Sequence, residues 1–391
     1  MSAGRPTDLG FAPRRVLASR LERGVDVVRQ RLRDDDAVAF VHAGSDANCS
    51  YLESDAVVVT SGAAVRLAER GSDSVSVGRG GAQAPGDVRS VDDPAGSVVD
   101  ILDELVGSPG DGTVLTPRAV RHDAALFLER AGYDLASTTA LGDARAVKTP
   151  AERDAVRTLG TATTRGFDTA VERLATADVG DGVLHDADSP LTAGRLARSV
   201  SATLAGEGVE SPGVRVRSGG EETLAAGRPV VVECCPVGPS GGRLRAAWTL
   251  VVDGDGGWDR RAQLALDAAH RAGRGRLAAA LDGESVAVGD VASEVRAEVT
   301  AYGFERPSVS VGGVGQAVRE RPREGDELRP GQVVVVAASV TRDGDETASD
   351  GRRTDVVRHV ETLCLDDGVE RVVSLPGSLS PSRALDSASR R

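Results

Sequence analysis

Few residues in this chain are placed to do chemistry. Glu233 lies in an apolar run at 229–235 beside Cys234 and Cys235, and Arg245 follows beyond the turn at 236–242. A carboxylate there can ligate a hard divalent ion, and an exposed thiolate of lowered pKa can do redox chemistry. The segment 311–322 supplies Gly312, Gly313 and Gly315, followed by Arg319 and Glu320. Histidine is the usual acid, base or ligand. His42, His122, His185 and His270 show no paired ligand spacing, so they read as structural or surface groups. Cys49, Cys234, Cys235 and Cys364 form no Cys-x-x-Cys pair and read as small buried thiols. No nucleophile elbow is present. The glycines at 78–81, 241–242 and 312–313 lack a P-loop lysine and the dinucleotide fingerprint, so they read as turns or loops.

These residues must be held by elements that the spacing of apolar positions outlines. Residues 15–33 carry Val16, Leu17, Leu21, Val25, Val28 and Leu32 at helical spacing, and 37–42 reads as a buried strand. Strands at 56–60 and 63–67 flank Ser61 and Gly62, residues 78–93 read as loop, and helical patterns recur at 95–106 and 117–131. That alternation predicts an α/β domain. Thr149, Pro150, Ala151 and Glu152 form a capping box with proline at the first helical position, opening a helix with Val156, Leu159, Phe167, Val171 and Leu174 on one face. Beyond it come a helix from Thr192, the hairpin 229–252, helices at 258–281 and 290–302, and strands near 307–311, 332–340, 356–365 and 371–374. Helices on one curved antiparallel sheet are expected there. The Ser/Arg-rich end, 377–391, has no apolar period and reads as a disordered tail.

With 391 residues and 40% hydrophobic content the chain can bury a core and is long enough for two or three domains. It holds no run of about 18 apolar residues, and Arg14 and Arg15 are not followed by a secretory h-region, so no membrane partner and a cytoplasmic location are expected. The net charge is −12, from 59 acidic against 47 basic residues, and Lys148 is the only lysine. With 3% aromatics, this balance resembles proteins of a halophilic cytoplasm. There, repulsion among surface carboxylates is screened within about 3 Å at 1 M salt. No basic stripe exists to hold nucleic acid.

The run Arg145, Ala146, Val147, Lys148, Thr149, Pro150, Ala151 and Glu152 resembles the domain junction "Arg-x-x-Lys-Ser/Thr-Pro-x-Glu" of the pita-bread metallopeptidases, the Xaa-Pro aminopeptidase, prolidase, creatinase and methionine aminopeptidase kind. Four later blocks follow in that family's order: 224–254 is similar to its double-aspartate hairpin, 258–304 to its helix pair, 311–322 to its histidine block and 328–341 to its first glutamate strand. The resemblance spans 15–376 and implies a creatinase-type N-terminal α/β domain over 1–146 and an α+β pita-bread domain over 147–376, with the tail at 377–391. It also implies a homodimer, as many relatives pair.

In active relatives two Asp, one His and two Glu hold two divalent metals that activate a bridging water. Here those positions fall at Glu233, Arg245, Gly312, Ala337 and His359, the last shifting to Val360 or Glu361 with a one-residue gap; the substrate-binding His falls at Arg319. No histidine stands between Val214 and Thr223, where many relatives keep one for proton transfer. A guanidinium about 4 Å from a divalent ion costs on the order of 8 kcal/mol at an effective dielectric of about 20. No metal, cofactor or catalytic residue is therefore expected. Arg245 is expected to pair with Glu233 across the hairpin, leaving a catalytically inactive relative with a peptide- or protein-binding or scaffold role. Two rivals are a hydrolase with one metal on Glu233 and His359, and a chaperone-like module for basic proteins.

Overall fold

The computed structural model describes residues 10–71, 87–107, 110–220, 222–343 and 354–388. Contacts divide the chain into two compact units, Ala12–Glu152 and Met1–Phe11 with Arg153–Arg391. Among the described residues no helix is long and apolar enough to cross a membrane.

The smaller unit contains α1 (Pro13–Asp34), β1 (Ala39–Ala43), α2 (Ala47–Leu52), β2 (Ala56–Thr60), β3 (Ala64–Glu69), β4 (Asp87–Val91), α3 (Ser97–Val106), β5 (Thr113–Pro117), α4 (His122–Arg130), β6 (Asp134–Thr138) and α5 (Ala140–Ala146). Its six strands run β4-β3-β2-β1-β5-β6, with β1 antiparallel to β2 and parallel to β5. Successive side chains leave a strand on opposite faces. Phe40, Val57 and Val59 therefore meet Leu21, Val25 and Val28 of α1, while Val41 and Val58 meet Val98, Leu102 and Leu128 on the other side. Two expectations differ from this unit. The helix expected at 117–131 begins only at His122: Pro117 ends strand β5 and residues 118–121 connect the two. The loop expected at 78–93 ends in an edge strand, β4, parallel to β3, and its part at 78–86 lies outside the described residues.

The larger unit contains α6 (Pro150–Ala175), β7 (Asp178–Gly180), β8 (Val183–Asp186), β9 (Ser189–Pro190), α7 (Ala193–Gly206), β10 (Val214–Arg217), β11 (Val230–Cys234), β12 (Ala246–Leu250), α8 (Trp258–Leu281) and α9 (Val288–Ala301). It continues with β13 (Ser308–Gly313), β14 (Val333–Asp343), β15 (Thr354–Leu365), β16 (Val369–Arg371) and α10 (Pro381–Ala388). The main sheet is antiparallel, in order β10-β11-β12-β15-β14-β13, with β16 on β15. Leu159, Phe167, Leu196 and Leu204 pack on Val230, Val232 and Leu250, while Leu266, Leu277, Val291 and Val295 pack on Val334, Val336 and Leu363. Where β12 meets β15 a single register pair is made, Ala247 with Val360. Beside it two buried hydroxyls take over from the ladder. Thr249 Oγ1 donates to Arg358 O and accepts from Arg358 N, and Thr362 Oγ1 donates to Arg245 O and accepts from Arg245 N.

The expected disordered tail is corrected in part. Pro381–Ala388 is helical, because Pro381 suits a first helical turn and Ala384 buries into the core that Leu385 also touches.

The capping box forms as read: Thr149 N donates to Glu152 Oε2 at 2.9 Å and Glu152 N to Thr149 Oγ1 at 3.2 Å. The same carboxylate accepts from Arg20 Nε at 2.9 Å, with side-chain exposures of 4% and 6%. Removing one partner of a buried pair strands the other charge. Glu152→Ala should therefore destabilise the Ala12–Glu152 unit by about 3–5 kcal/mol in urea unfolding; a loss under about 1 kcal/mol would show that Arg20 finds another partner.

Candidate functional site

Strand register decides which residues share a face of the main sheet. Glu233 pairs with Ala247 and Arg215, Ala247 with Val360, Val360 with Ala337, and Val335 with Gly312. Residues in register point the same way, so Glu233, Val360, Ala337, Val335 and, two residues from Val360, Arg358 share one side. This is the face away from α8 and α9. Arg245 reaches it from the residue before β12.

On that face Arg245 Nη2 lies 3.3 Å from Glu233 Oε1, and Arg358 Nη2 lies 3.7 Å from the same oxygen. The expected pair therefore forms, with side-chain exposures of 16% and 12% rather than a solvated arginine. Arg215, Arg217 and Arg358 line a cleft of about 140 Å³ with Glu233. Arg245, Gly312, Val335, Arg319 and Glu320 line a neighbouring one of about 330 Å³. The Nε atoms of Arg245 and Arg358 are buried and have no partner among the described residues. Burial holds Arg358 below the usual arginine range; Glu233 opposes this, and Arg245 and Arg217 add to it by repulsion. Burial also pushes the Cys234 and Cys235 thiols up, the opposite of what a reactive thiol needs.

The residues do not fit a two-metal centre. Gly312, Ala337 and Val360 have no donor atoms, and Arg245 puts a cation on the one carboxylate left. The glycine block keeps its backbone role. A Cβ on Gly313 would lie 2.1 Å from Arg321 O, and Gly313 N donates to Pro322 O at 2.8 Å, so the loop that carries Arg319 folds back on β13. Arg319 itself is exposed at the rim.

His359 is not on this face, and among the three candidates for the last position the register selects Val360. His359 and Glu361 point to α8 and are 6% and 2% exposed. The His359 ring stacks on His270, centroids 3.9 Å apart, and meets Trp248 edge-on at 4.5 Å. His359 Nε2 is 3.4 Å from Glu361 Oε1, His270 Nδ1 is 3.5 Å from Glu361 Oε2, and Arg274 Nη1 is 2.6 Å from that Oε2. Sequence reading missed this cluster; the one signal available was Asp267, His270 and Arg274 on one face of α8. Burial, with His270 adding to it, pushes His359 down to about 3. Glu361 is pushed up by burial, but its contacts with His270 and His359 win and hold it well below the usual carboxylate range.

The other histidines stand apart. His42 Nε2 is 3.0 Å from Asp46 Oδ1, whose side chain also accepts from Asn48 N and Cys49 N as the N-cap of α2. His185 bonds locally to Val183 O, and His122 opens α4.

No protein-family model matches the sequence, and no curated protein matches it. Solved structures do. A prolidase from Pyrococcus horikoshii superposes with a TM-score of 0.69 at 14% identity, covering 91% of this chain and 99% of that one. An Xaa-Pro dipeptidase from Bacillus anthracis gives 0.70 at 13%, covering 92% and 99%. An aminopeptidase from Pseudomonas aeruginosa gives 0.71 at 13%, covering 96% and 99%. The chain thus has the pita-bread fold of prolidases and Xaa-Pro aminopeptidases, an α/β unit followed by an α+β unit. At this identity the likeness concerns the fold, and what the site does follows from its own residues.

A neutral buried histidine sets a pH dependence. His359 titrates near 6.5 when unfolded and about 3 when folded, so the unfolded chain binds more protons between those values and stability falls as pH drops below 6.5. Urea unfolding between pH 6.5 and 5 should lose up to about 1.4 kcal/mol per pH unit, and His359→Gln should flatten that slope. An unchanged slope in the variant would assign the effect elsewhere.

Proposed function

We propose that this chain is a catalytically inactive homologue of the Xaa-Pro aminopeptidase-type metallopeptidases and uses the inherited face to bind a peptide or protein. The observation that carries this reading is the Glu233–Arg245 pair, with Arg358 beside it, where relatives hold cations. Arg215, Arg217 and Arg358 favour a ligand that presents a carboxylate, since guanidinium forks bind carboxylates in bidentate fashion. A hydrolase with one metal on Glu233 and His359 gains no support, because the two side chains leave opposite faces of the sheet. An acidic module for basic partners fits poorly with an arginine-lined cleft.

The test is an Xaa-Pro dipeptide cleavage assay in molar KCl with added manganese, cobalt or zinc. No turnover above background is expected. Turnover abolished by Glu233→Ala would overturn the reading. The binding half predicts that immobilised acidic peptides retain the protein and that Arg358→Ala weakens retention about 10-fold or more, as loss of a charge-assisted bond of about 1.5–3 kcal/mol implies; equal retention of both proteins would remove it. The reading also takes the protein as a cytoplasmic homodimer, and light scattering that returns the 40.3 kDa monomer mass would remove that part.

A further inference from the structure

Three guanidiniums meet at the smaller cleft with too little negative charge to answer them. Arg215 stands directly across from Glu233 on the neighbouring strand, and Arg217 lies two residues along the same face. Opposite charges so placed normally pair. Here the Glu233 carboxylate is turned instead to Arg245 at 3.3 Å and Arg358 at 3.7 Å. Arg215 and Arg217 are left without a hydrogen bond or ion pair among the described residues. Elsewhere in this acidic chain arginines find carboxylates, as Arg157 does with Asp154, Asp366 and Glu370.

Protection of a sheet edge does not account for the cluster. Charges on an outer strand such as β10 discourage pairing with other chains. Arg358, however, is on β15, inside the sheet, and its Nε is buried without a partner among the described residues. Burial, and repulsion from Arg245 and Arg217, work against its charge; Glu233 supports it, and a bound anion would add to that support.

The number of charges identifies the anion. Glu233 and Arg245 offset each other, which leaves Arg215, Arg217 and Arg358. One carboxylate answers a single guanidinium. A phosphate monoester carries a charge of about −1.5 to −2 at neutral pH and presents three strong acceptor oxygens, and guanidinium forks bind it in bidentate fashion. The cleft of about 140 Å³ compares with the roughly 150 Å³ that holds a benzene-sized group, so a phosphate head can enter. Gly220 puts no side chain at its rim and has open space beside it. The neighbouring cleft of about 330 Å³ offers Val318, Pro322 and Val335 to an apolar residue next to the phosphorylated one.

We infer that Arg215, Arg217 and Arg358 form a pocket for a phosphate monoester carried on a side chain of the bound peptide. Clusters of arginine are a recurring means of reading phosphorylated segments. The inference rests on the peptide-binding reading proposed above and refines the anion from a carboxylate to a dianion.

Three immobilised peptide libraries, degenerate except for a central phosphoserine, glutamate or serine, test it with the full-length protein at one ionic strength. The phosphoserine library should retain the protein about 10-fold more tightly than the glutamate library, as one further charge-assisted hydrogen bond implies. Inorganic phosphate should release it, and acetate at equal ionic strength should not. Arg215→Gln and Arg217→Gln together, at two exposed positions, should bring the ratio of phosphoserine to glutamate retention close to one. Equal retention by phosphoserine and glutamate, both above serine, overturns the phosphate pocket and leaves the carboxylate reading standing. Equal retention by all three libraries overturns the pocket and the binding half of the proposed function together. A phosphate preference undiminished in the double variant overturns the assignment to this cleft.

Discussion

Much of this molecule depends on the pairing of β14 with β15, an unbroken ladder from Val333 opposite Cys364 to Asp343 opposite Thr354. Because side chains alternate across a strand, this one register sends Arg358 and Val360 to one face and His359 and Glu361 to the other. A slip of one residue would exchange the sets and bring His359 and Glu361 beside Glu233. The apolar residues at Val334, Val336 and Leu363, locked against α8 and α9, make such a slip expensive. Packing far from the clefts thereby decides what chemistry they can contain.

Charge is distributed against the average of the chain. A protein of net charge −12 keeps Arg215, Arg217, Arg245 and Arg358 around the Glu233 carboxylate, with the Nε atoms of Arg245 and Arg358 out of water and without a partner among the described residues. Surface pairs are screened away in strong salt, whereas half-buried ones are screened much less. An arginine-lined cleft therefore keeps its field under conditions in which the acidic exterior loses most of its own.

What the sequence revealed was what is local. The Thr149–Glu152 cap, the hairpin that brings Arg245 back to Glu233, and the glycine block folded on β13 are each set by residues close in the chain, and each is found. The last site position was not legible, since His359, Val360 and Glu361 are all buried and a strand covered on both faces loses the alternation that would tell them apart. The histidine cluster was hidden for a related reason: His270 and His359 stand 89 residues apart and meet only when α8 settles on β15. The helix at 381–388 was obscured because its apolar contribution is only Ala384 and Leu385. Strand β5 falls in the short apolar stretch between the helical patterns at 95–106 and 117–131 and shares only Pro117 with the second of them.

The seam between β12 and β15 has a consequence for how this sheet tolerates change. Elsewhere in a ladder, threonine and valine are near-interchangeable in shape. At Thr249 and Thr362, both 1% exposed, the hydroxyl stands in for a missing neighbouring backbone, each serving one N–H and one C=O of the facing chain. A methyl in its place would strand two main-chain groups at once, so a substitution conservative in volume would act here as proline does inside a central strand. Beside the Ala247–Val360 pair the two halves of the sheet are joined through these side chains, and the two positions are as constrained as backbone.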